Sequence, residues 1–181
     1  MAVETDSSAL EDGEAFGQFF VAHRDPVYRF CYCFVGKADV AEDLLGETFL
    51  RAYGHRNQLP TEEEAARRWL LRVAKNLAVD QHRRARRHQR LLTVLGRETA
   101  PRHRDPQNDV AERSALGAVV AGFAELSDRD RTLIALRVAD GLSFAEIAAV
   151  TGRSVPAVQM GLQRARARLR RRCPVDWEEL P

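Results

Sequence analysis

The stretch "SFAEIAAVTGRSVPAVQMGLQRARARLRRR" (residues 143–172) decides the fold of the second half of the chain. Ser143 followed by Glu146 is the pattern of a capping box, which predicts the start of a helix. Gly152 suits the left-handed residue that ends a helix, and Ser154 predicts the cap of the next one. Two helices joined by so short a turn predict a helix-turn-helix.

The second helix of this pair has two different sides. Apolar residues recur at spacings of four, three and four and predict the buried stripe: Val158, Leu162, Ala165 and Leu169. The outer side carries a different set: Ala157, Gln159, Met160, Gln163 and Arg164. Glutamine can pair with adenine and arginine with guanine, so these residues are predicted to read base edges in the major groove of DNA. A plain helical hairpin with a solvated basic face is the alternative.

Charge is concentrated in particular segments, although the formal net charge of the 181 residues is only +2. Residues 164–172 hold six arginines and no acid, and residues 83–104 hold eight arginines and one acid. Such local excess favours a polyanion as the partner.

The remaining periodic stretches also predict helices, and no convincing alternating strand occurs. One helix is predicted over 14–35, with Pro26 interrupting or starting it. A second is predicted after Gly36, with Asp39 as its cap and Glu42 three residues on. A third runs from about 63 to 87.

A polar segment then interrupts the helical pattern. It carries Pro101 and Pro106 and has no apolar period, which predicts a flexible linker. The expected fold class is therefore all-α: two small helical domains joined by a flexible linker, the second with a helix-turn-helix. The predicted boundaries are an acidic tail 1–13, a first domain 14–88, the linker 89–111, a second domain 112–172 and a tail 173–181.

The three cysteines do not make a complete disulfide framework and are expected to be reduced thiols. No apolar run is long enough to span a bilayer, and the acidic N-terminus does not resemble a signal peptide. These features predict a cytoplasmic protein that does not bind a membrane.

The exposed side of the second predicted helix is acidic, with Glu42, Asp43, Gly46 and Glu47. It admits a docking face for a basic partner, a plain solvated face, or a metal site of a nucleic-acid-processing enzyme built on Asp39, Asp43 and Glu47. No histidine or second carboxylate cluster completes a metal site, so no metal or cofactor is expected.

The third predicted helix carries Arg72, Lys75, Asn76 and Arg83 on one face, with Trp69 near its edge. Amides, cations and an aromatic ring can together hold a single nucleic-acid strand. The alternative for Trp69 is a place in the core.

Three stretches in register give the chain a family resemblance: "AEDLLGETFLRAY", "RRWLLRVAKNLAVDQHRR" and "LSDRDRTLIALRVADGLSFAEIAAVTGRSVPAVQMGLQRARARLR". Together they resemble the bacterial RNA polymerase sigma factors of the extracytoplasmic-function (ECF) group. The resemblance covers roughly residues 16–172.

The resemblance implies a function and assigns roles to residues. A sigma factor of this group is not an enzyme; it docks on core RNA polymerase, recognises the −10 and −35 elements of promoter DNA and directs initiation. Polymerase docking then falls to four residues: Asp43, Leu44, Glu47 and Phe49. The −10 element falls to the third helix, with Trp69, Arg72, Lys75, Asn76 and Arg83, and to the loop 59–65 before it. The −35 element falls to the outer side of the last helix.

The resemblance also implies an anti-sigma factor as a further partner, and no small-molecule substrate. The family usually has glutamine where this chain has Gly46. A helix-turn-helix regulator that acts without polymerase stays open as an alternative, because it would explain the second domain alone.

Overall fold

The computed structural model describes residues 7–94, 123 and 126–172, which form helices and turns only. The helices are α1 Ser7–Val35, α2 Ala38–Gly54, α3 Glu63–Val94, α4 Asp128–Asp140, α5 Phe144–Thr151 and α6 Val155–Arg172, with a 3₁₀ turn Arg56–Gln58 after α2. The all-α prediction is therefore confirmed for these residues. The predicted tail 173–181 lies outside the described residues, as do most of the predicted linker and part of the tail 1–13.

Helices α1, α2 and α3 pack around an aromatic and aliphatic core. Val27, Phe30 and Phe34 of α1 are fully or almost fully buried. The ring of Phe49 on α2 lies 4.7 Å from that of Phe20 and makes an edge contact with it. Edge-to-face rings add to the hydrophobic burial, so α1 and α2 are held in a defined register.

The predicted roles of Pro26 and Asp39 at helix ends are wrong. Pro26 was expected to interrupt or start a helix, but it lies inside α1. Proline lacks an N–H for the preceding turn, and burial of the apolar side chains that follow it offsets this cost. Asp39 was expected to cap α2, but α2 begins at Ala38 and its cap residue, Lys37, makes no side-chain capping bond. Asp39 lies in the first turn, where a carboxylate is favoured by the helix dipole.

Helix α3 is longer than its sequence pattern predicted, and a different face of it is buried. It continues to Val94, into the segment predicted as linker. Its buried residues are Ala66, Leu70, Leu71, Ala74 and Ala78. The predicted apolar side with Trp69, Val73 and Leu77 is only partly buried.

The second domain is built by α4, α5 and α6, and its local signals agree with the sequence. The Ser143 hydroxyl accepts from the Glu146 N–H at 3.2 Å, and the Glu146 carboxylate accepts from the Ser143 N–H at 2.7 Å. Gly141 and Gly152 have φ of 62° and 68°, the left-handed conformation that ends each helix. The predicted stripe of α6 is buried at every position, with exposed fractions of 0% to 4%.

The two domains pack on each other, with α1 and α3 facing α4 and α5. In the part of the chain described, no helix is long and apolar enough to cross a membrane. Cys31 is buried and burial raises the pKa of its thiol to about 12. Burial also raises the pKa of Cys33 against the opposing effect of Arg29, so both thiols are uncharged at neutral pH.

Candidate nucleic-acid and protein interfaces

The exposed side of α2 forms the docking face, which we define as Asp43, Glu47 and Leu50. These residues follow at spacings of four and three, so they form one line along the helix. Asp43 and Glu47 are exposed, and Glu47 accepts from Arg51 Nε at 3.0 Å. Leu50 is 70% exposed. The face therefore combines two carboxylates with an apolar side chain that nothing in the described structure covers.

Leu44 and Phe49, which the resemblance assigns to docking, lie in the core with 4% of each residue exposed. Their side chains hold α2 against α1 and α3 and are not presented to a partner. Gly46 lies on the exposed side, and a Cβ added there would meet no atom within 4 Å. The side chain that the family usually has at this position would thus be accommodated.

The second surface is the cationic face of α3, which we define as Arg72, Lys75, Asn76 and Arg83. Arg72, Asn76 and Arg83 are exposed, and Lys75 is half-buried. Burial, together with the nearby Arg72, lowers the pKa of the Lys75 ammonium. The residues do lie together, as their spacing predicted, and three of them line one cleft.

Trp69 lies at the edge of this face, as predicted, with its ring 6.2 Å from that of His55. It is partly buried and packs against the core of the first domain. The structure thus gives the ring a packing role, and part of its surface remains accessible.

The third surface is the reading face of α6: Ala157, Gln159, Met160, Gln163 and Arg164. All but the half-buried Ala157 are exposed, and Met160 is 60% exposed. Arg164 Nε donates to the Met160 carbonyl at 3.3 Å, which directs the guanidinium along the helix surface. Because the buried stripe holds the opposite side, the whole face is free to enter a groove.

The cationic face of α3 is engaged by the second domain. Arg72 Nη2 donates to the Ala149 carbonyl of α5 at 2.9 Å. Arg83 Nε donates to Asp128 Oδ2 at 2.9 Å, and His82 Nδ1 lies 2.7 Å from the other oxygen of that carboxylate. Asp128 could not be predicted as a partner of α3, because nothing local in the sequence pairs it with that helix.

Within the described residues, no group of three or more histidine, cysteine or acidic side chains is arranged to hold a metal ion. The enzymatic alternative built on Asp39, Asp43 and Glu47 therefore gains no support from the geometry.

Comparison with known proteins identifies the family. Residues 19–88 match Sigma-70 region 2, and residues 117–169 match Sigma-70, region 4. SigC of Mycobacterium tuberculosis, an ECF RNA polymerase sigma factor, is 32% identical over 161 residues, which cover 88% of this chain and 84% of SigC. The chain belongs to the ECF group of RNA polymerase sigma factors. As a member, it binds core RNA polymerase and gives it promoter recognition.

Two other relatives come from other bacteria. BldN of Streptomyces coelicolor is 31% identical to the sigma factor over 165 residues, which are 91% of this chain and 62% of BldN. SigW of Bacillus subtilis is 28% identical over 168 residues, which are 88% of this chain and 89% of SigW.

Solved structures give the same fold. The sigma factor RpoE, in complex with the anti-sigma factor NepR from Bartonella quintana, aligns with a TM-score of 0.65 at 21% identity, covering 90% of this chain and 99% of RpoE. CnrH, in complex with the cytosolic domain of CnrY, aligns with a TM-score of 0.60 at 26% identity, covering 88% of this chain and 87% of CnrH.

Proposed function

We propose that this sigma factor contacts core polymerase through the docking face of α2, the −10 element through the cationic face of α3 and the −35 element through the reading face of α6. The observation that carries the proposal is α6 itself. It buries Val158, Leu162, Ala165 and Leu169 and leaves its glutamines and Arg164 outside, preceded by a capped helix and a tight turn. This is the arrangement that a recognition helix needs in the major groove.

The docking face supports the protein side of the proposal. Its two carboxylates suit a basic surface on the polymerase, and Leu50 would be removed from water on binding. Charged groups at such a face mainly set orientation and association rate, and the apolar side chain adds buried area.

The decisive experiment is run-off transcription with purified core polymerase and a pool of random promoters. The proposal expects transcripts that start at defined sites only when the sigma factor is present. Absence of such transcripts with correctly folded protein would overturn it, and specific DNA binding without polymerase association would favour the regulator alternative.

A charge reversal tests the docking face. Asp43→Arg should abolish capture of core polymerase and leave the circular-dichroism spectrum unchanged, because Asp43 is exposed and makes no core contact. Asp25→Arg is the matched control, since Asp25 is an exposed acid on α1 of the same domain. Unchanged capture by the Asp43 variant would remove Asp43 from the docking face.

We further propose that an anti-sigma factor binds this protein in the cytoplasm and that no chemical step is catalysed by the chain. CnrH, which has a similar structure, forms a complex with the cytosolic domain of CnrY. Copurification from the native host tests this: recovery of the sigma factor repeatedly without any stoichiometric inhibitor would contradict it.

A further inference from the structure

Arg51 lies in the last turn of α2, beside the docking face. Its Nε donates to Glu47 Oε1 at 3.0 Å, and the two residues are four positions apart on the helix. An acid four residues before a base is the favoured order for such a pair, and a cation in the last turn also suits the helix dipole. Arg51 is therefore the counterion of one of the two carboxylates that the docking face offers to a partner.

The same arginine lines the cleft that is also lined by part of the cationic face of α3. Arg51 shares this cleft with Lys75, Asn76 and Arg83. Because Arg51 comes from a different helix, the spacing of residues along α3 could not predict that it lies there. Its guanidinium is suited to a phosphate oxygen of a strand bound in the cleft. Arg51 therefore lies within reach of both proposed surfaces of the first domain.

The single positive charge of Arg51 is available to one anion in full at a time. While Arg51 is paired with Glu47, the two side chains together contribute no net charge to the cleft. A basic partner that binds Glu47 leaves Arg51 as a free cation beside Lys75. About half of each paired side chain is exposed, 51% for Arg51 and 48% for Glu47, so the ion pair is weak and is exchanged at little cost.

We propose that Arg51 couples the two surfaces, as the counterion of Glu47 in the free sigma factor and as a phosphate-binding residue beside the cationic face once polymerase has bound Glu47. The inference rests on the proposed functions of the docking face and the cationic face. Coupling of two binding sites is reciprocal, so DNA in the cleft also frees Glu47 and raises the affinity for polymerase by the same factor. Because the coupling cannot exceed the strength of one exposed ion pair, that factor is about two- to fivefold.

The first experiment measures DNA binding by the full chain without polymerase. The probe is a fluorescein-labelled single-stranded oligonucleotide of mixed sequence, followed by anisotropy at fixed ionic strength. Glu47→Gln imitates the neutralisation of Glu47 by a partner and should bind about two- to fivefold tighter than Asp25→Asn. Asp25→Asn is the matched control, because it removes the same charge and releases Arg24, an exposed arginine that does not line the cleft.

The double variant Glu47→Gln/Arg51→Gln shows whether the gain passes through Arg51. It should bind the oligonucleotide as the wild type does, because the neutral side chains, like the ion pair, add no net charge to the cleft. Arg51→Gln alone leaves the Glu47 carboxylate without its counterion and should bind more weakly than Arg24→Gln. The difference between the double variant and the sum of the single variants measures the interaction of the pair.

The second experiment measures capture of core polymerase and separates coupling from docking itself. Arg51→Gln should be captured at least as well as Arg24→Gln, because Glu47 no longer has to leave an ion pair. Adding the oligonucleotide should raise capture of the wild type about two- to fivefold more than capture of Arg51→Gln. Circular dichroism checks that the exposed Arg51 can be replaced without loss of helix.

The outcomes separate this inference from the functions on which it rests. If Glu47→Gln and Asp25→Asn tighten DNA binding equally, the gain follows net charge, and the coupling is refuted while sigma activity stands. If Arg51→Gln is captured by polymerase more weakly than Arg24→Gln, Arg51 is a docking residue and the coupling is also refuted. If the wild type binds no DNA and supports no transcription with core polymerase, the proposed function fails, and the inference fails with it.

Discussion

Two helical glycines of the sigma factor have opposite surroundings. A Cβ added to Gly161 on α6 would lie 2.5 Å from Leu133 Cδ1, whereas one added to Gly46 on α2 would meet nothing within 4 Å. Leu133 is itself 1% exposed, so it has little room to move. Gly161 therefore permits the close approach of α6 to α4, and Gly46 only weakens its helix.

Alanine at these positions should change stability in opposite directions. Gly161→Ala should lower the free energy of unfolding by about 1–3 kcal/mol through overpacking. Gly46→Ala should raise it by about 0.5–1 kcal/mol through helix propensity. Urea denaturation followed by circular dichroism measures both. An unchanged free energy of unfolding for Gly161→Ala would show that the Leu133 side chain can move aside for the added methyl group.

Substitutions of Gln163 on the reading face and of Arg170 near the end of α6 should affect DNA binding in different ways. Gln163→Ala should change base preference at the −35 element, because an amide that pairs with a base contributes about 1–3 kcal/mol of discrimination. The exposed Arg170 should contact phosphate only, so Arg170→Ala should weaken all sequences alike and lower the salt slope by about 1. Selection of binding sites from a random pool measures this, and a uniform loss for Gln163→Ala would contradict it.

At the scale of the element, sequence predicted best where the signal is local. Both ends of α5 and the start of α6 follow from Ser143, Gly152 and Ser154, whose hydrogen bonds and φ angles involve only their own neighbours. α1 continues through Pro26 because tertiary burial outweighs a local penalty. Leu50 could have been found, since it follows Asp43 and Glu47 on the exposed side at helical spacing, whereas Leu44 and Phe49 lie on the buried side with Ala41 and Ala52.

The capping box of α5 should be worth more than the cap before α6. Ser143→Ala removes the hydroxyl that accepts from the Glu146 N–H at 3.2 Å, and should lower the free energy of unfolding by about 1 kcal/mol. Ser154 accepts from Ala157 N–H only at 3.4 Å, so Ser154→Ala is the matched control with a smaller loss. Thermal melts of the two variants decide the order, and an equal or greater loss at Ser154 would reverse this account.

Across the two domains, the residues that pair between them could not be predicted from the sequence. Arg29 and Asp140 are separated by 111 positions, and no period or motif relates them. Composition gave the charges of each segment but not their partners, because such pairs arise only once two independently formed helical units meet. The same cationic residues were predicted as a DNA surface, and the structure shows that surface meeting a carboxylate of its own chain.

Two histidines should make the stability of the whole molecule depend on pH near neutrality. Burial lowers the pKa of His23 in the first-domain core, against Glu63 and Glu64 and with help from Arg67. Burial also lowers the pKa of His82, with Arg131 and Arg86 in the same direction and Asp128 opposing.

Because both folded pKa values lie below the ordinary value, the unfolded chain binds more protons as the pH falls through about 6.5, and stability decreases. Asp128 does not contribute to this change, because its pKa is lowered and the stability that its carboxylate provides is lost only in stronger acid. The urea midpoint should therefore fall from about pH 7.5 to about pH 5.5, and His23→Gln and His82→Gln should each flatten the profile. Because the two histidines lie in different contacts, their effects should add in the double variant. A double variant with the wild-type slope would show that neither ring is held neutral by the fold.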